Sequence, residues 1–138
     1  MRRPLARGRR SAAAGVLTAG VLSAGALAAC GRGPRRPSEA VPNHAWQTVT
    51  ARGGPTYTFR AGQQVEMLAG GGMMMGTYQF PTDSSLAMTV TGRIPGVGSG
   101  PTTLALRFDV RVLAPGPDGR ERIELRAGTA VDTLARAD

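Results

Sequence analysis

From Trp46 onward, apolar and polar residues alternate with a period of two. TYTFR places Tyr57 and Phe59 on one side, QVEML places Val65 and Met67, and LAMTV places Leu86, Met88 and Val90. LALRFDVRV sets Leu104, Leu106, Phe108, Val110 and Val112 against Ala105, Arg107, Asp109 and Arg111. Residues two apart share a face of a strand, so this alternation predicts half-buried β-strands. Glycine and proline clusters fill the gaps between them, and no segment carries helical spacing with a capping residue. A first strand over 46–50, a last hairpin running from 104–113 back through 122–126 around PGPDG, and a strand near Val131 bring the expected number to six to eight.

Turn positions test whether these faces belong together, because a slip of one residue turns every side chain to the opposite face. A tight turn on Gly70-Gly71 sets Ala69 opposite Gly72 and Met67 opposite Met74. A loop over 81–85 sets Phe80 opposite Leu86 and Tyr78 opposite Met88. A three-residue loop ending at Gly62 sets Phe59 opposite Gln63 and Tyr57 opposite Val65. Three successive hairpins then share one inner face, as an antiparallel meander requires. Such a meander closes most simply into a small up-and-down barrel, which leaves no exposed edges; a two-sheet β-sandwich is the alternative.

The segment TYTFRAGQQVEMLAGGGMMMGTYQFPTDSSLAMTVTG resembles the hairpin pattern of small lipocalin-like bacterial lipoprotein domains, with a Tyr-x-Phe strand, a glycine turn and a Gly-Thr-Tyr strand in succession. The resemblance implies a small barrel whose interior takes an apolar ligand. The paired cysteines and Gly-x-Trp signature of eukaryotic lipocalins are absent.

The pattern ahead of Trp46 is different. Arg2, Arg3, Arg7, Arg9 and Arg10 precede an Ala- and Gly-rich apolar stretch over 11–29, the arrangement of an export signal. That stretch is too poor in Leu, Ile and Phe for a permanent membrane span. It ends at Cys30, the only cysteine of the chain, so a disulfide within the chain is excluded. Leu27-Ala28-Ala29-Cys30 resembles the lipobox of bacterial lipoproteins at all four positions. The resemblance implies diacylglycerol on the Cys30 sulfur, cleavage between Ala29 and Cys30, and a membrane anchor; Gly31 in the following position fits the outer-membrane branch of the sorting pattern. Small side chains suit an extended segment in a protease cleft, and a thiol has the nucleophilicity the alkylation needs. Arg9-Arg10 leaves the twin-arginine route open beside the general one. Residues 30–44, with Pro34, Pro37 and Pro42, have the composition of a tether, which leaves 45–138 as the folded domain.

This division changes the meaning of the charge. The chain carries a formal +8, all of its 17 basic residues being arginine, but five of them lie in the signal. Twelve arginines against nine acids leave +3 on residues 30–138, and the domain itself is near +1. No basic face remains for nucleic acid. The tether arginines suit either anionic headgroups, each contributing about 1 kcal/mol near such a surface, or a solvated charge cluster with no function.

Candidate chemistry is sparse. His44 is the only histidine and the domain has no cysteine, so no nucleophile-base pair can be assembled and no catalytic residue is expected. Three consecutive methionines in an exported chain suggest Cu(I). The register opposes that reading, since Met74 points inward with Met67 while Met73 and Met75 point outward, and no metal or other cofactor is expected. The segment GRIPGVGSGPTT over 92–103 is the longest between strands, either a lid in which Ile94 and Val97 touch a ligand or a plain crossover.

Two functions follow, both non-catalytic. In the first, an interior or rim lined by Tyr57, Phe59, Met67, Met74, Tyr78, Met88 and Phe108 accepts a small apolar ligand. In the second, those side chains fill the barrel, and an outer patch of Leu68, Met73 and Met75 meets another envelope protein. An interior void favours the first and a packed centre the second.

Overall fold

The computed structural model describes residues 35–138, in which the alternating segments become eight antiparallel strands. They are β1 (Ala45–Thr48), β2 (Thr56–Arg60), β3 (Gln64–Ala69), β4 (Gly72–Thr82), β5 (Ser85–Gly92), β6 (Thr102–Leu113), β7 (Arg122–Ala127) and β8 (Ala130–Arg136). Each strand pairs with the next in the chain, and β8 returns to β1 through Trp46↔Arg136 and Thr48↔Leu134. The fold is therefore the up-and-down barrel, and the sandwich is set aside. One end, called the base, carries the β2–β3, β4–β5 and β6–β7 connections and the start of β1. The opposite, distal end carries the β1–β2, β3–β4, β5–β6 and β7–β8 connections.

Turn residues set the register. Gly70 and Gly71 have φ of 58° and 80°, the left-handed pair that a two-residue hairpin turn needs, and they hold Met67 opposite Met74 and Ala69 opposite Gly72 as expected. Tyr78 lies opposite Met88, also as expected, but β4 continues through Thr82, with a bulge between Gln79 and Thr82, so the loop shortens to Asp83-Ser84. The β2–β3 register differs by two residues from the expectation: Tyr57 lies opposite Met67 and Phe59 opposite Val65. A 3-10 turn at Ala61–Gln63, with Gly62 and Gln63 both at positive φ, moves the reversal towards β3. A shift of two preserves the faces, so the inner set is unchanged.

The inner face is the core. Trp46, Phe59, Val65, Met74, Leu86, Val90, Val110, Ile123 and Leu134 have almost no solvent exposure. Phe59 meets Tyr78 edge-to-face with ring centroids 4.9 Å apart, and Tyr57 and Phe80 extend this row to either side. Val112, expected inside, is 36% exposed near the end of β6. Gly76 faces inward on β4 where β4 and β5 approach closely. A Cβ there would overlap the Thr89 carbonyl oxygen, 2.7 Å from the Thr89 carbonyl carbon and 2.8 Å from the Val90 Cα.

The extent of the tether is corrected as well. Residues 35–44, assigned to the tether, belong to the barrel. Pro37–Ala40 forms a short helix, α1, with Pro at its first position, where the missing N–H costs no hydrogen bond. Ala40 is 3% and Val41 0% exposed, both at the base, and the Trp46 indole N–H donates to the Val41 carbonyl at 3.2 Å. The Ser38 amide donates to the Asp83 carbonyl at 3.1 Å, and the Ser38 hydroxyl and Arg36 guanidinium donate to the Asp83 carboxylate at 3.2 and 2.9 Å. Burial of Val41 beneath Trp46 favours a docked strap over the free coil that proline content alone suggests.

Candidate interaction surface

The residues expected to line a ligand site are brought together, but as core. Tyr57, Phe59, Met67, Met74, Tyr78 and Met88 are between 1% and 6% exposed and pack in one cluster with Trp46, Leu86 and Val110. Their side chains fill the barrel's interior. Phe108 packs against the edge of that cluster, opposite Leu86. It is half-buried and borders a surface notch of about 260 Å³ that also involves Ser85, Arg107, Asp109 and Arg126. The notch forms because the β6–β7 ladder covers only 109–113. Above it, residues 102–107 of β6 pair with β5 alone, leaving a strand edge with Leu104 and Leu106 half-buried behind it.

Burial also perturbs the two tyrosines. It pushes the Tyr57 hydroxyl up to about 12, helped by the negative charge of Asp132, and raises Tyr78 above its ordinary value. Asp132 sits opposite Leu125, an inner position of β8 that the alternation of apolar residues did not reveal. The fold favours the neutral Tyr57 phenol, so this contribution to stability is intact below pH 10 and is lost as the pH rises through about 12. The full loss is about 3 kcal/mol. Alkaline titration of tyrosinate absorbance in the folded protein is expected to show both tyrosines ionising above the ordinary value, with Tyr57 near 12; both titrating near 10 would contradict the buried placement.

Outside the barrel, Leu68, Met73 and Met75 are 48%, 52% and 57% exposed. Leu68 is the cross-strand partner of Met73, and Met75 lies diagonal to it opposite Glu66, so the three form one ridge on β3 and β4. The Gly70-Gly71 turn causes this arrangement by fixing a register in which Met74 alone of the three methionines enters the core, at 1% exposure. A shallow depression of about 300 Å³ adjoins the ridge, bordered by Met75, Glu66, Gln64 and Thr77. Arg60 and Glu66 form an ion pair across one side of it at 3.0 Å.

In the 93–101 connection, Ile94 packs against the core while Val97 is 50% exposed, so these two residues do not line a common site. At the base, the His44 Nδ1 and Asp138 carboxylate are 3.1 Å apart, and Arg136 holds the other oxygen of Asp138 at 3.0 Å. Among the described residues, no group of three or more His, Cys, Asp or Glu side chains is placed to hold a metal ion. Leu27, Ala28, Ala29 and Cys30 lie outside the described residues.

No family model, curated protein or solved structure matches this chain.

Proposed function

We propose that this chain is an exported lipoprotein, cleaved between Ala29 and Cys30 and held at the membrane by diacylglycerol on Cys30, whose barrel is a non-catalytic interaction module working through its outer surface. The single observation that carries the module's mode of action is the filled interior. Met67, Met74 and Met88, the flexible side chains that would have to make room for an apolar ligand, are 4%, 1% and 2% exposed within a continuous core. Such a ligand would have to displace packing that the barrel needs for its own stability. The polar partners of a reaction centre are missing from the sequence pattern, which supports binding rather than chemistry. The surface available for contact is the ridge of Leu68, Met73 and Met75 together with the free edge of β6, since exposed apolar groups and unpaired strand edges are both templates for protein contacts.

Mass spectrometry of the protein taken intact from its native membranes tests this reading. The expected result is an N-terminal peptide that begins at acylated Cys30 and a barrel carrying no stoichiometric small molecule. An unmodified Cys30 still joined to residues 1–29 would overturn the anchoring. An apolar molecule retained by the barrel would return the interior to the role of a ligand site.

A further inference from the structure

We infer that the barrel stands base-down on the bilayer that anchors it, with the base in contact with phospholipid headgroups and the methionine ridge carried on the side and end turned away from the membrane. The inference rests on the lipid anchor at Cys30 proposed above and adds to it an orientation and a contact surface.

Chain length supplies the argument. If residues 30–44 were a free tether, the barrel would tumble at the end of a flexible coil. Residues 35–44 are instead fastened to the base. Val41 is buried beneath Trp46, Ser38 and Arg36 hold Asp83, and the Arg35 guanidinium reaches Glu121 at 3.4 Å. Only residues 31–34 then lie between the anchored sulfur and Arg35, which is fastened to Glu121. Five Cα–Cα steps span about 18 Å even at full extension. The two longest strands, β4 with eleven residues and β6 with twelve, are each about 40 Å long and, tilted as barrel strands are, rise about 30 Å. The remaining tether is therefore shorter than the barrel is tall along β4 and β6. It attaches at the base, beside the β4–β5 and β6–β7 connections, so those connections are the part of the protein nearest the headgroups.

Charge at the base is mixed, with exposed guanidinium groups standing beside the carboxylates of Asp83, Asp118 and Glu121. Arg35 and Arg36 flank the point where the chain leaves for the membrane, and the Arg36 side chain is 66% exposed beyond its bond to Asp83. Arg120 lies in the neighbouring connection with its side chain 40% exposed, its Nε donating to the Arg136 carbonyl at 2.7 Å and lying 3.7 Å from the Asp118 carboxylate. Guanidinium groups bind phosphate oxygens in pairs, and every phospholipid presents a phosphate. Turning the base downward also leaves the Gly70-Gly71 turn, Met73 and the 93–101 connection facing the aqueous compartment, where a protein partner can reach them.

The single thiol makes a direct test available. The processed chain, residues 30–138, is coupled through Cys30 to a maleimide phospholipid in mixed phosphatidylcholine and phosphatidylglycerol vesicles, and compared with the same chain capped by N-ethylmaleimide. Amide exchange at 61–63, 83–84 and 115–120 is expected to slow about tenfold on tethering, while the Gly70-Gly71 turn and 93–101 exchange as in the free chain. Met73 and Met75 are expected to oxidise at the same rate in both samples. Inserting about twelve Gly/Ser residues after Gly33 adds about 20 Å of coil reach and is expected to abolish the protection. No protection at the base, equal protection at the distal end, or protection that survives the insertion would each overturn the inference. Because the lipid is attached chemically, these outcomes are independent of whether the native host acylates Cys30, which the mass spectrometry decides separately.

Discussion

Gly76→Ala is expected to be among the most damaging single substitutions in the barrel, although it adds one methyl group. The new Cβ would enter the space of the Thr89 carbonyl, a backbone group on the neighbouring strand that is held by its own ladder and cannot swing aside like a side-chain end. Relief requires β4 and β5 to separate around the Gly76↔Val90 pair, at the centre of the inner face. Overpacking against backbone places this at about 3 kcal/mol or more. In a domain of this size that lowers the melting temperature by about 12–24 °C. Gly71→Ala provides the comparison. Its Cβ meets nothing within 4 Å and the cost comes only from a φ of 80°, so a loss of about 1 kcal/mol is expected. Thermal unfolding followed by circular dichroism ranks the two, and a Gly76→Ala barrel as stable as the parent would show that β4 and β5 do not approach as described.

Trp46→Ala is the second large effect, and it acts on two levels. The indole is 1% exposed, and truncating a buried tryptophan costs about 3–5 kcal/mol through lost burial and the cavity left behind. It also removes the donor to the Val41 carbonyl and the surface against which Val41 packs. Residues 35–44 should then loosen from the base as well. Trp46→Phe keeps most of the apolar volume and loses the hydrogen bond, so about 1–2 kcal/mol is expected. Urea unfolding measures the stability loss, and amide exchange over 37–44 reports the strap separately. A Trp46→Ala protein in which the strap stays protected would place the fastening in Asp83 and Glu121 rather than in Val41. Since this is the only tryptophan of the chain, circular dichroism rather than fluorescence must follow the variants.

Most of the barrel is legible in the sequence. Strict alternation from Tyr57 to Val110 names the inner residues, and the Gly70-Gly71 turn states which of three adjacent methionines goes inside. These are local properties: side-chain direction along a strand and the φ values open to glycine. The β2–β3 register is not legible because Gln63 adopts a φ of 61°, a left-handed geometry that glycine or asparagine normally signals. The strap escaped for a different reason. Pro37 and Pro42 read as coil, yet proline also opens helices, and Val41 is a single apolar residue without periodicity until Trp46 is folded over it.

The order of polar and apolar residues determined by itself that this chain forms a β meander with one apolar face and which residues occupy that face, because each side chain's direction follows from its place in the strand. Only the tertiary structure decided that the interior is full and that residues 35–44 are fastened to the base. Filling depends on the summed volume of inward side chains against the radius of the closed barrel, and the fastening on contacts such as Arg36 to Asp83 that are 47 residues apart. Neither quantity exists until distant strands have met.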